Sequence, residues 1–344
     1  MSGPLRALVV DDSALFRAAV AEALAGLGAE VVGRAADGAE ALAQAAALEP
    51  DVITLDVEMP RVGGLEALRR LKARGDRGRV VMVSRHTAEG AEVTAEALLS
   101  GAFDFVEKPA GVSGRENRAA LSASLAPILE AAGASLGVAA AGPEDRGGAG
   151  GGGCGLVLVG CSTGGPDALR RVLPGLRGDL PAPILIAQHM PPGYTAGLAR
   201  RLDAACEIGV REAEGGEWLQ PGEALLAPGG RHLVVERVGG RLRAGLSGGP
   251  PVNSCRPSVD VLFGSAFEAA PDVPALAVVL TGMGRDGAEG CALVKDGGGR
   301  VIAQHADGCT VYGMPKAVVE AGLADRVVKL GHVAAAVRRE VAAT

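Results

Sequence analysis

The chain has 344 residues, and because ordinary domains run to roughly 150 residues we expect two of them. Residues 1–150 contain 15 basic and 21 acidic side chains and the remainder contains 19 of each, for a net charge of −6, so no clustered basic face favours nucleic acid as a partner. The six cysteines show no metal-ligand spacing, no apolar leader opens the chain, and no run reaches the ~18 apolar residues of a membrane span. We therefore expect a cytoplasmic protein with free thiols and no membrane insertion.

Short apolar runs alternate with amphipathic segments through the first part of the chain. We predict strands at LRALVV, EVVGRA, DVITLD, RVVMVS and FDFVEKP, and helices over 14–27, 38–48, 64–74, 90–100 and 116–132. This alternation is typical of an open, doubly wound parallel sheet. It predicts a flavodoxin-like (βα)5 domain over residues 1–132.

Glycine and alanine dominate residues 133–153, where the sequence has too few large apolar side chains to form a core. We predict a flexible linker there. Beyond it, over 154–344, the alternation resumes with strands at LVLVG, PILIAQ, ALLAP, ALAVVL and RVIAQ. HLVVER and RLRAGL flank Gly239-Gly240, a glycine pair typical of a β-hairpin. The second domain is therefore predicted to be α/β, doubly wound and mostly parallel, with a β-hairpin.

Polar residues follow four of the predicted strands in the first domain: Asp11-Asp12, Asp56, Ser84 and Lys108. The carboxyl ends of parallel strands share one edge of a sheet, so three carboxylates and one lysine should meet there. Carboxylates at such short distances repel one another unless a hard divalent cation such as Mg²⁺ neutralises their charge. Each acid alone would more often be a solvated loop carboxylate, but the joint spacing favours a site in which Asp56 forms an acylphosphate.

The same residues, together with EMPRVGG after Asp56 and DFVEKP at 104–109, resemble the receiver domain of two-component response regulators. The resemblance implies that a histidine kinase phosphorylates Asp56 with the help of Mg²⁺. It also implies the roles of the surrounding residues: Mg²⁺ on Asp12, Asp56 and the backbone carbonyl of Glu58 with Asp11 behind them, Lys108 paired with the phosphoryl group, and Ser84 with Phe105 as the switch.

Ser162 lies near the start of the second domain, in the stretch LVLVGCSTGG, with glycines close to it on both sides. Such a loop could cradle a phosphate at the start of a helix, but a dinucleotide site also needs an acid about 20 residues on, and the second strand here ends in Gln188-His189. As a nucleophile, Ser162 would need a base and an orienting acid. His189 and His305 both follow predicted strands and are the candidate bases. Asp286 in VVLTGMGRDG is the candidate acid.

Residues 155–330 resemble the catalytic domain of the chemotaxis protein-glutamate methylesterases, through GCSTGGPDAL, AQHMPPGYTAGLARRL, GPPVNSCRPSVDVLF, LTGMGRDGAEG and VYGMPKAV in that order. The resemblance implies that Ser162 is the nucleophile, His189 the general base and Asp286 its orienting partner. It implies an oxyanion hole from the N–H groups of Thr163 and Met283. The implied substrates are γ-methyl esters of glutamate, and equivalent glutamines, on chemoreceptors. We expect no cofactor for the esterase reaction, and a monomer.

The resemblance also implies regulation, in which the unphosphorylated receiver inhibits the esterase and phosphorylation relieves the inhibition. Recruitment of the enzyme to its substrate is the alternative. Two other classes of function are a binding module that has lost catalysis and a nucleotide-binding regulator. Two arginine pairs, Arg170-Arg171 and Arg200-Arg201, are either a docking surface for acidic receptor helices or solvated helix faces.

Overall fold

Two compact units make up the chain, Met1–Gly137 and Val138–Thr344, in a computed structural model that describes residues 3–85, 87–109, 114–136 and 153–342. Most of the predicted linker, residues 137–152, lies outside the described residues. Each unit is built on its own parallel sheet. The predicted fold class is therefore confirmed.

The first unit alternates strands and helices from its start. Its elements are β1 (Arg6–Val10), α1 (Ala14–Gly26), β2 (Glu30–Ala35), α2 (Gly38–Leu48), β3 (Val52–Asp56), α3 (Gly64–Arg74), β4 (Arg79–Ser84), α4 (Ala88–Leu99), β5 (Asp104–Glu107) and α5 (Gly114–Leu136). The strands form one parallel sheet in the order β2-β1-β3-β4-β5. β1, β3 and β4 are almost entirely buried, which is why they read as near-continuous apolar runs.

Side chains at the turns between strands and helices fix where three of these helices begin. Ser13 caps α1, Asp37 caps α2 and Thr87 caps α4, each by accepting a hydrogen bond from a backbone N–H of the first turn. Such caps satisfy N–H groups that have no partner inside the helix. The turn after β1 and the turn after β4 are therefore held by a paired strand on one side and a capped helix on the other.

Helix α5 ends at Leu136, so residues 133–136, predicted as the start of the linker, are helical. Arg79 holds this last turn, since its Nε donates to Ser135 Oγ at 3.0 Å and its Nη2 to the Ser135 carbonyl at 3.3 Å. Alanine-rich sequence looks like a linker in composition, yet alanine is the strongest helix former. The prediction therefore stopped the helix too early.

One stretch of α5, Glu116–Leu136, is long and apolar enough to cross a membrane by length and composition, with a mean hydropathy of 1.4. In this unit its apolar side is used for packing. Leu121, Leu125 and Leu129 are buried, and α5 packs against α1. A helix that covers a sheet in the core of an α/β domain meets the same criterion.

The second unit contains nine strands and six α-helices among the described residues, together with a 3₁₀ turn at Leu173–Gly175. The elements are β6 (Leu156–Cys161), α6 (Gly165–Val172), β7 (Ile184–Gln188), α7 (Thr195–Asp203), β8 (Gly209–Glu212), β9 (Glu223–Leu226), β10 (His232–Val238), β11 (Arg241–Ser247), α8 (Val259–Ala269), β12 (Ala275–Val279), α9 (Ala288–Asp296), β13 (Arg300–Gln304), α10 (Met314–Glu320), β14 (Arg326–Val328) and α11 (Leu330–Val341).

Seven of these strands form a parallel sheet in the order β14-β13-β12-β6-β7-β9-β8. From β6 the chain adds β7, β8 and β9 on one side, and it later returns to add β12, β13 and β14 on the other. The reversal places the carboxyl ends of β6 and β12 next to each other, where the connections leave the sheet in opposite directions. In open α/β sheets, ligands bind at this kind of switch point.

The predicted hairpin is present as β10 and β11, which pair in antiparallel fashion as a separate two-stranded sheet. Gly239 and Gly240 both have positive φ, 56° and 80°, as a tight hairpin turn of the primed type requires. The hairpin packs against α8, with Val235 N donating to Ser265 Oγ. It therefore helps to position the segment that enters α8.

Candidate phosphoacceptor site and candidate active site

The three predicted carboxylates of the first unit do meet at one edge of its sheet. The ligand oxygens of Asp11, Asp12 and Asp56 all lie within 4.8 Å of one another. Asp11 and Asp56 are 2% and 3% exposed, whereas Asp12 faces solvent. Lys108 Nζ lies 2.7 Å from an oxygen of Asp56 and 2.7 Å from one of Asp11. The cluster thus holds one cation among three carboxylates.

The chemistry of this cluster fits a hard divalent cation. Asp11 Oδ2 is buried, and within the described part of the chain its charged partner is the ammonium group of Lys108 at 2.7 Å. Burial raises the pKa of Asp56 to about 6, although the hydrogen bond and charge of Lys108 pull it down. Carboxylates held this close retain uncompensated charge, and Mg²⁺ prefers oxygen ligands of this kind. Glu58 follows in the same turn, where its N–H donates to Asp56 Oδ1 at 3.4 Å.

The two predicted switch residues stand on neighbouring strands. Ser84, at the end of β4, is fully buried, and its Oγ lies 3.3 Å from the carbonyl oxygens of Arg85 and Gly90. Phe105 lies on β5 opposite Met82 of β4 and is half-buried. The hydroxyl of Ser84 is therefore turned toward its own loop in this structure.

In the second unit Ser162 follows β6, and hydrogen bonds fix its backbone. Its N–H donates to the Thr281 carbonyl at 3.0 Å, and its carbonyl accepts from Gly165 N at 2.7 Å and from Gln188 Nε2 at 3.0 Å. A Cβ added at Gly282 would lie 2.8 Å from Ser162 Cβ. The serine is therefore held between the ends of β6 and β12, with no room for a side chain at Gly282.

The same bonds argue against a phosphate-binding loop. The Gly165 N–H, at the start of α6, donates a hydrogen bond to the Ser162 carbonyl within the turn. A Cβ at Gly165 would collide with Gln188 Oε1, and one at Gly164 with the Thr310 side chain. These glycines let neighbouring side chains of the protein approach the loop closely. They do not open a cradle toward solvent.

His189 follows β7, next to the end of β6, and its N–H donates to the Cys161 carbonyl at 3.1 Å. Its ring lies between two partners. Nε2 is 2.7 Å from Asp286 Oδ2, and Nδ1 is 3.4 Å from Cys255 Sγ. Asp286 therefore engages Nε2, while the other ring nitrogen, Nδ1, contacts the thiol of Cys255.

Asp286 lies in the turn between β12 and α9 and is 2% exposed. Besides His189, its carboxylate accepts hydrogen bonds from the Asn253 side chain, the Ser258 hydroxyl and the N–H groups of Val259 and Asp260. Three of these donors stand at the N-terminus of α8, where a negative charge is favoured. The carboxylate is therefore fully engaged and fixed in place.

Each charge in this pair stabilises the other. Burial lowers the pKa of His189, but the hydrogen bonds to Asp286 and Cys255 outweigh it and raise the value to about 9. Burial raises the pKa of Asp286, but the hydrogen bond and charge of His189, with those from Val259 and Asn253, hold it well below its ordinary range. Both shifts favour the charged form of the group concerned.

The other candidates are placed elsewhere. His305, the rival base, is 5% exposed and accepts from Asp307 N through Nδ1 at 3.0 Å, which closes its own loop. Arg170 and Arg171 both pair with Asp167 on α6, as on an ordinary solvated helix face. These contacts weaken the docking interpretation for that pair.

The two residues predicted for an oxyanion hole come from different loops, Thr163 after β6 and Met283 after β12. The Thr163 carbonyl accepts from Thr281 Oγ1 at 3.0 Å. Met283 is two residues beyond Thr281, in a loop held by Gly313 N and Met314 N on the Gly282 carbonyl. Both backbones therefore belong to the turns that follow β6 and β12.

Sequence reasoning missed the residues of the loop before α8. Asn253, Cys255 and Ser258 contact His189 or Asp286, yet they come from a segment between the hairpin and a helix. The available signal was the motif GPPVNSCRPSVDVLF, which contains all three. Motif similarity identified the segment, but only the fold brings it to the end of β12.

The first unit combines an α/β fold with an acidic edge, and the second brings a serine, a histidine and an aspartate to one sheet edge. Together they define a response regulator with a hydrolase as its output domain. The sequence model of the family described as CheB methylesterase matches residues 157–337, and that of the response regulator receiver domain matches residues 7–118. The chain belongs to the CheB methylesterase family and carries a receiver domain, so both predicted resemblances are confirmed.

Several relatives with one shared description match this chain over nearly its whole length. The protein-glutamate methylesterase/protein-glutamine glutaminase of Symbiobacterium thermophilum is 45% identical over 357 residues, covering 98% of this chain and 97% of that relative. The corresponding protein 1 of Pseudomonas aeruginosa is 43% identical over 370 residues, covering 96% and 97%. The crystal structure of the Thermotoga maritima CheB methylesterase catalytic domain matches with a TM-score of 0.53 and 42% identity, covering 54% of this chain and 98% of that one.

Proposed function

We propose that this chain hydrolyses γ-methyl esters of glutamate side chains in chemoreceptors, and deamidates glutamines at equivalent positions, under control of phosphorylation at Asp56. The observation that carries the proposal is the 2.7 Å pair of His189 and Asp286 beside a serine on the neighbouring strand end. A serine becomes a useful nucleophile only beside such an oriented base.

In the proposed reaction Ser162 Oγ attacks the γ-carbonyl carbon while neutral His189 takes the hydroxyl proton at Nδ1. Asp286 holds the imidazole through Nε2 and stabilises the imidazolium that forms. The N–H groups of Thr163 and Met283 are assigned to the oxyanion. His189 then returns the proton to the leaving methanol or ammonia, and a water molecule activated by the same base hydrolyses the acyl-serine. No cofactor is proposed for this reaction.

A receiver domain takes its phosphoryl group from a kinase, here proposed to be a histidine kinase of the chemotaxis type. Asp56 is the proposed phosphoacceptor. Asp12, Asp56 and the Glu58 carbonyl would hold Mg²⁺, with Asp11 behind them, and the ion would supply charge neutralisation for phosphoryl transfer. Lys108 already pairs with Asp56 and would then pair with the phosphoryl oxygens, while Ser84 and Phe105 would change position as the switch.

Release of methanol from receptor membranes labelled on their methyl esters tests the proposal directly. The wild-type chain should release labelled methanol, and the Ser162→Ala variant should not. Lack of release by folded, phosphorylated wild-type protein would refute the proposed activity. Release of ammonia from receptors that carry glutamine at the same positions tests the deamidase activity in parallel.

A further inference from the structure

Cys255 contacts the proposed catalytic base, although the hydrolysis reaction has no use for a thiol there. Its Sγ lies 3.4 Å from His189 Nδ1, and the ligand atoms of Cys255, His189 and Asp286 all lie within 4.8 Å of one another. A thiol, an imidazole and a carboxylate are the side chains that Zn²⁺ prefers in proteins.

The distance between the sulfur and the nitrogen suits a shared metal ion. A zinc ion at about 2.3 Å from sulfur and about 2.0 Å from nitrogen, with a tetrahedral angle between the bonds, separates these two atoms by about 3.5 Å. The observed separation is 3.4 Å. The separation of the two atoms therefore matches that of two ligands of one zinc ion.

The second ring nitrogen of His189, Nε2, also has the partner that is usual for a metal-binding histidine. Histidines that bind metals usually donate their second ring N–H to a carboxylate, which fixes the ring and makes the ligating nitrogen more basic. His189 Nε2 makes that bond with Asp286 at 2.7 Å. The groups present thus supply two direct ligands and one carboxylate behind them.

The thiol is held in this place by its own turn. Cys255 N donates to the Val252 carbonyl at 2.8 Å and Val252 N to the Cys255 carbonyl at 3.1 Å. The residues between them, Asn253 and Ser254, have positive φ values of 49° and 63°. Cys255 is half-buried and Asn253 is exposed, so the turn lies at the surface of its unit.

We propose that Cys255 and His189 form an inhibitory Zn²⁺ site, in which the ion binds Cys255 Sγ and His189 Nδ1 and blocks the esterase. Water completes the tetrahedral shell on the solvent side. The inhibition rests on the proposed function, because Nδ1 is the nitrogen assigned to take the Ser162 proton. The metal site itself does not depend on that assignment.

Cobalt absorption tests the site without any reference to activity. The metal-free full-length protein, kept reduced with a phosphine and saturated with Mg²⁺ to fill the receiver, is titrated with Co²⁺. We expect one equivalent to produce thiolate-to-cobalt charge-transfer absorption in the wild type and in the control Cys206→Ser, which changes another half-buried cysteine. The Cys255→Ser variant should lack it. Absence of the absorption in the wild type, or its persistence in Cys255→Ser, would refute the site.

Zinc titration of the esterase tests the inhibition, with each variant compared with its own zinc-free rate. Loss of an outer carboxylate alone typically weakens metal binding by about 10-fold, so loss of the thiolate ligand should raise the half-inhibitory Zn²⁺ concentration by at least that factor. A chelator should restore the wild-type rate. Equal sensitivity of wild type and Cys255→Ser would overturn the proposal. A protein that shows the cobalt signal but no esterase activity would instead count against the proposed function.

Discussion

Ser162 and Asp286 contribute to the proposed reaction in different ways, because one forms a covalent bond and the other orients the base. Loss of the nucleophile in a serine triad costs on the order of 10⁶ in kcat, whereas loss of the acid costs nearer 10⁴. We therefore expect Ser162→Ala to abolish methanol release and Asp286→Asn to leave a small measurable rate. Turnover of Ser162→Ala at the wild-type rate would end the assignment of a serine hydrolase.

The two histidines that follow strands should respond differently to the same substitution. His189 pairs with Asp286, whereas His305 accepts the Asp307 N–H within its own loop. His189→Gln should reduce kcat by several orders of magnitude, and His305→Gln should retain most of it. Initial rates on receptor membranes distinguish the two, and a larger loss at His305 would reverse the assignment.

The raised pKa of His189 predicts how activity depends on pH. The imidazole is a base only after it loses its proton, and its pKa lies near 9 where the ordinary value is 6.5. We therefore expect kcat/KM to rise with pH through an apparent pKa well above 6.5. Asp286→Asn removes the carboxylate that holds the proton, so the residual activity of this variant should rise at lower pH. A wild-type profile that is flat above pH 6.5 would contradict this explanation.

At the residue scale, the sequence predicted the groups that follow strands and missed those brought in by a loop. Asp56, Ser162 and His189 could be found because the carboxyl ends of parallel strands share an edge. Cys255 and Ser258 lie in a turn and a helix cap whose position against Asp286 depends on tertiary packing. No periodicity in the chain encodes that contact.

The loop between β12 and α9 packs against Ser162, and Gly282 is the residue of this loop that lies against the serine side chain. A Cβ there would lie 2.8 Å from Ser162 Cβ and would also meet Met314. Gly282→Ala should therefore displace the serine, lower the free energy of unfolding by about 1–3 kcal/mol and reduce activity. Denaturant unfolding and methanol release measure the two effects.

Gly331→Ala is the matched control, because a Cβ at Gly331, in α11, meets nothing within 4 Å. Alanine also favours a helix over glycine. Activity should be unchanged and stability equal or slightly higher. If Gly282→Ala behaved like this control, the close support of Ser162 would not matter for catalysis.

At the element scale, the buried central strands were predictable, and the two edge strands of the second sheet were not. β3 and β6 are fully buried and read as apolar runs, whereas the sheet edges β8 (Gly209–Glu212) and β14 (Arg326–Val328) have only four and three residues. Neither segment, GVRE or RVV, contains enough apolar residues to be recognised as a buried strand. Pairing with the neighbouring strands β9 and β13 defines them instead.

Regulation belongs to the whole molecule. A receiver can control an attached esterase only if phosphorylation changes which surfaces it contacts, as a shift between populations. The proposed inhibition predicts that deletion of residues 1–150 raises basal activity, that phosphorylation raises the activity of the intact chain, and that Asp56→Asn abolishes only the second effect. Methanol release by the three proteins, with and without a phosphodonor, measures each part.

Recruitment is the alternative, and it predicts the opposite for the fragment. If the receiver only brings the enzyme to its substrate, residues 151–344 alone should be no faster than the unphosphorylated intact chain. A small soluble ester separates the two mechanisms further, because recruitment to receptors cannot affect its hydrolysis. A fragment that fails to exceed the intact chain on both substrates would rule out inhibition.

The pair of His189 and Asp286 makes folding and catalysis respond to pH in opposite directions. Because the pKa of His189 is raised, its contribution to stability is complete below its ordinary value of 6.5 and is lost as pH rises through about 9. Because the pKa of Asp286 is lowered, its contribution is present above its ordinary value of 3.8 and is lost only in strong acid. The contribution of this pair to stability is therefore largest while the imidazole is protonated and cannot act as the proposed base. In the proposed reaction, the form of His189 that accepts the serine proton is the form in which the pair stabilises the fold least.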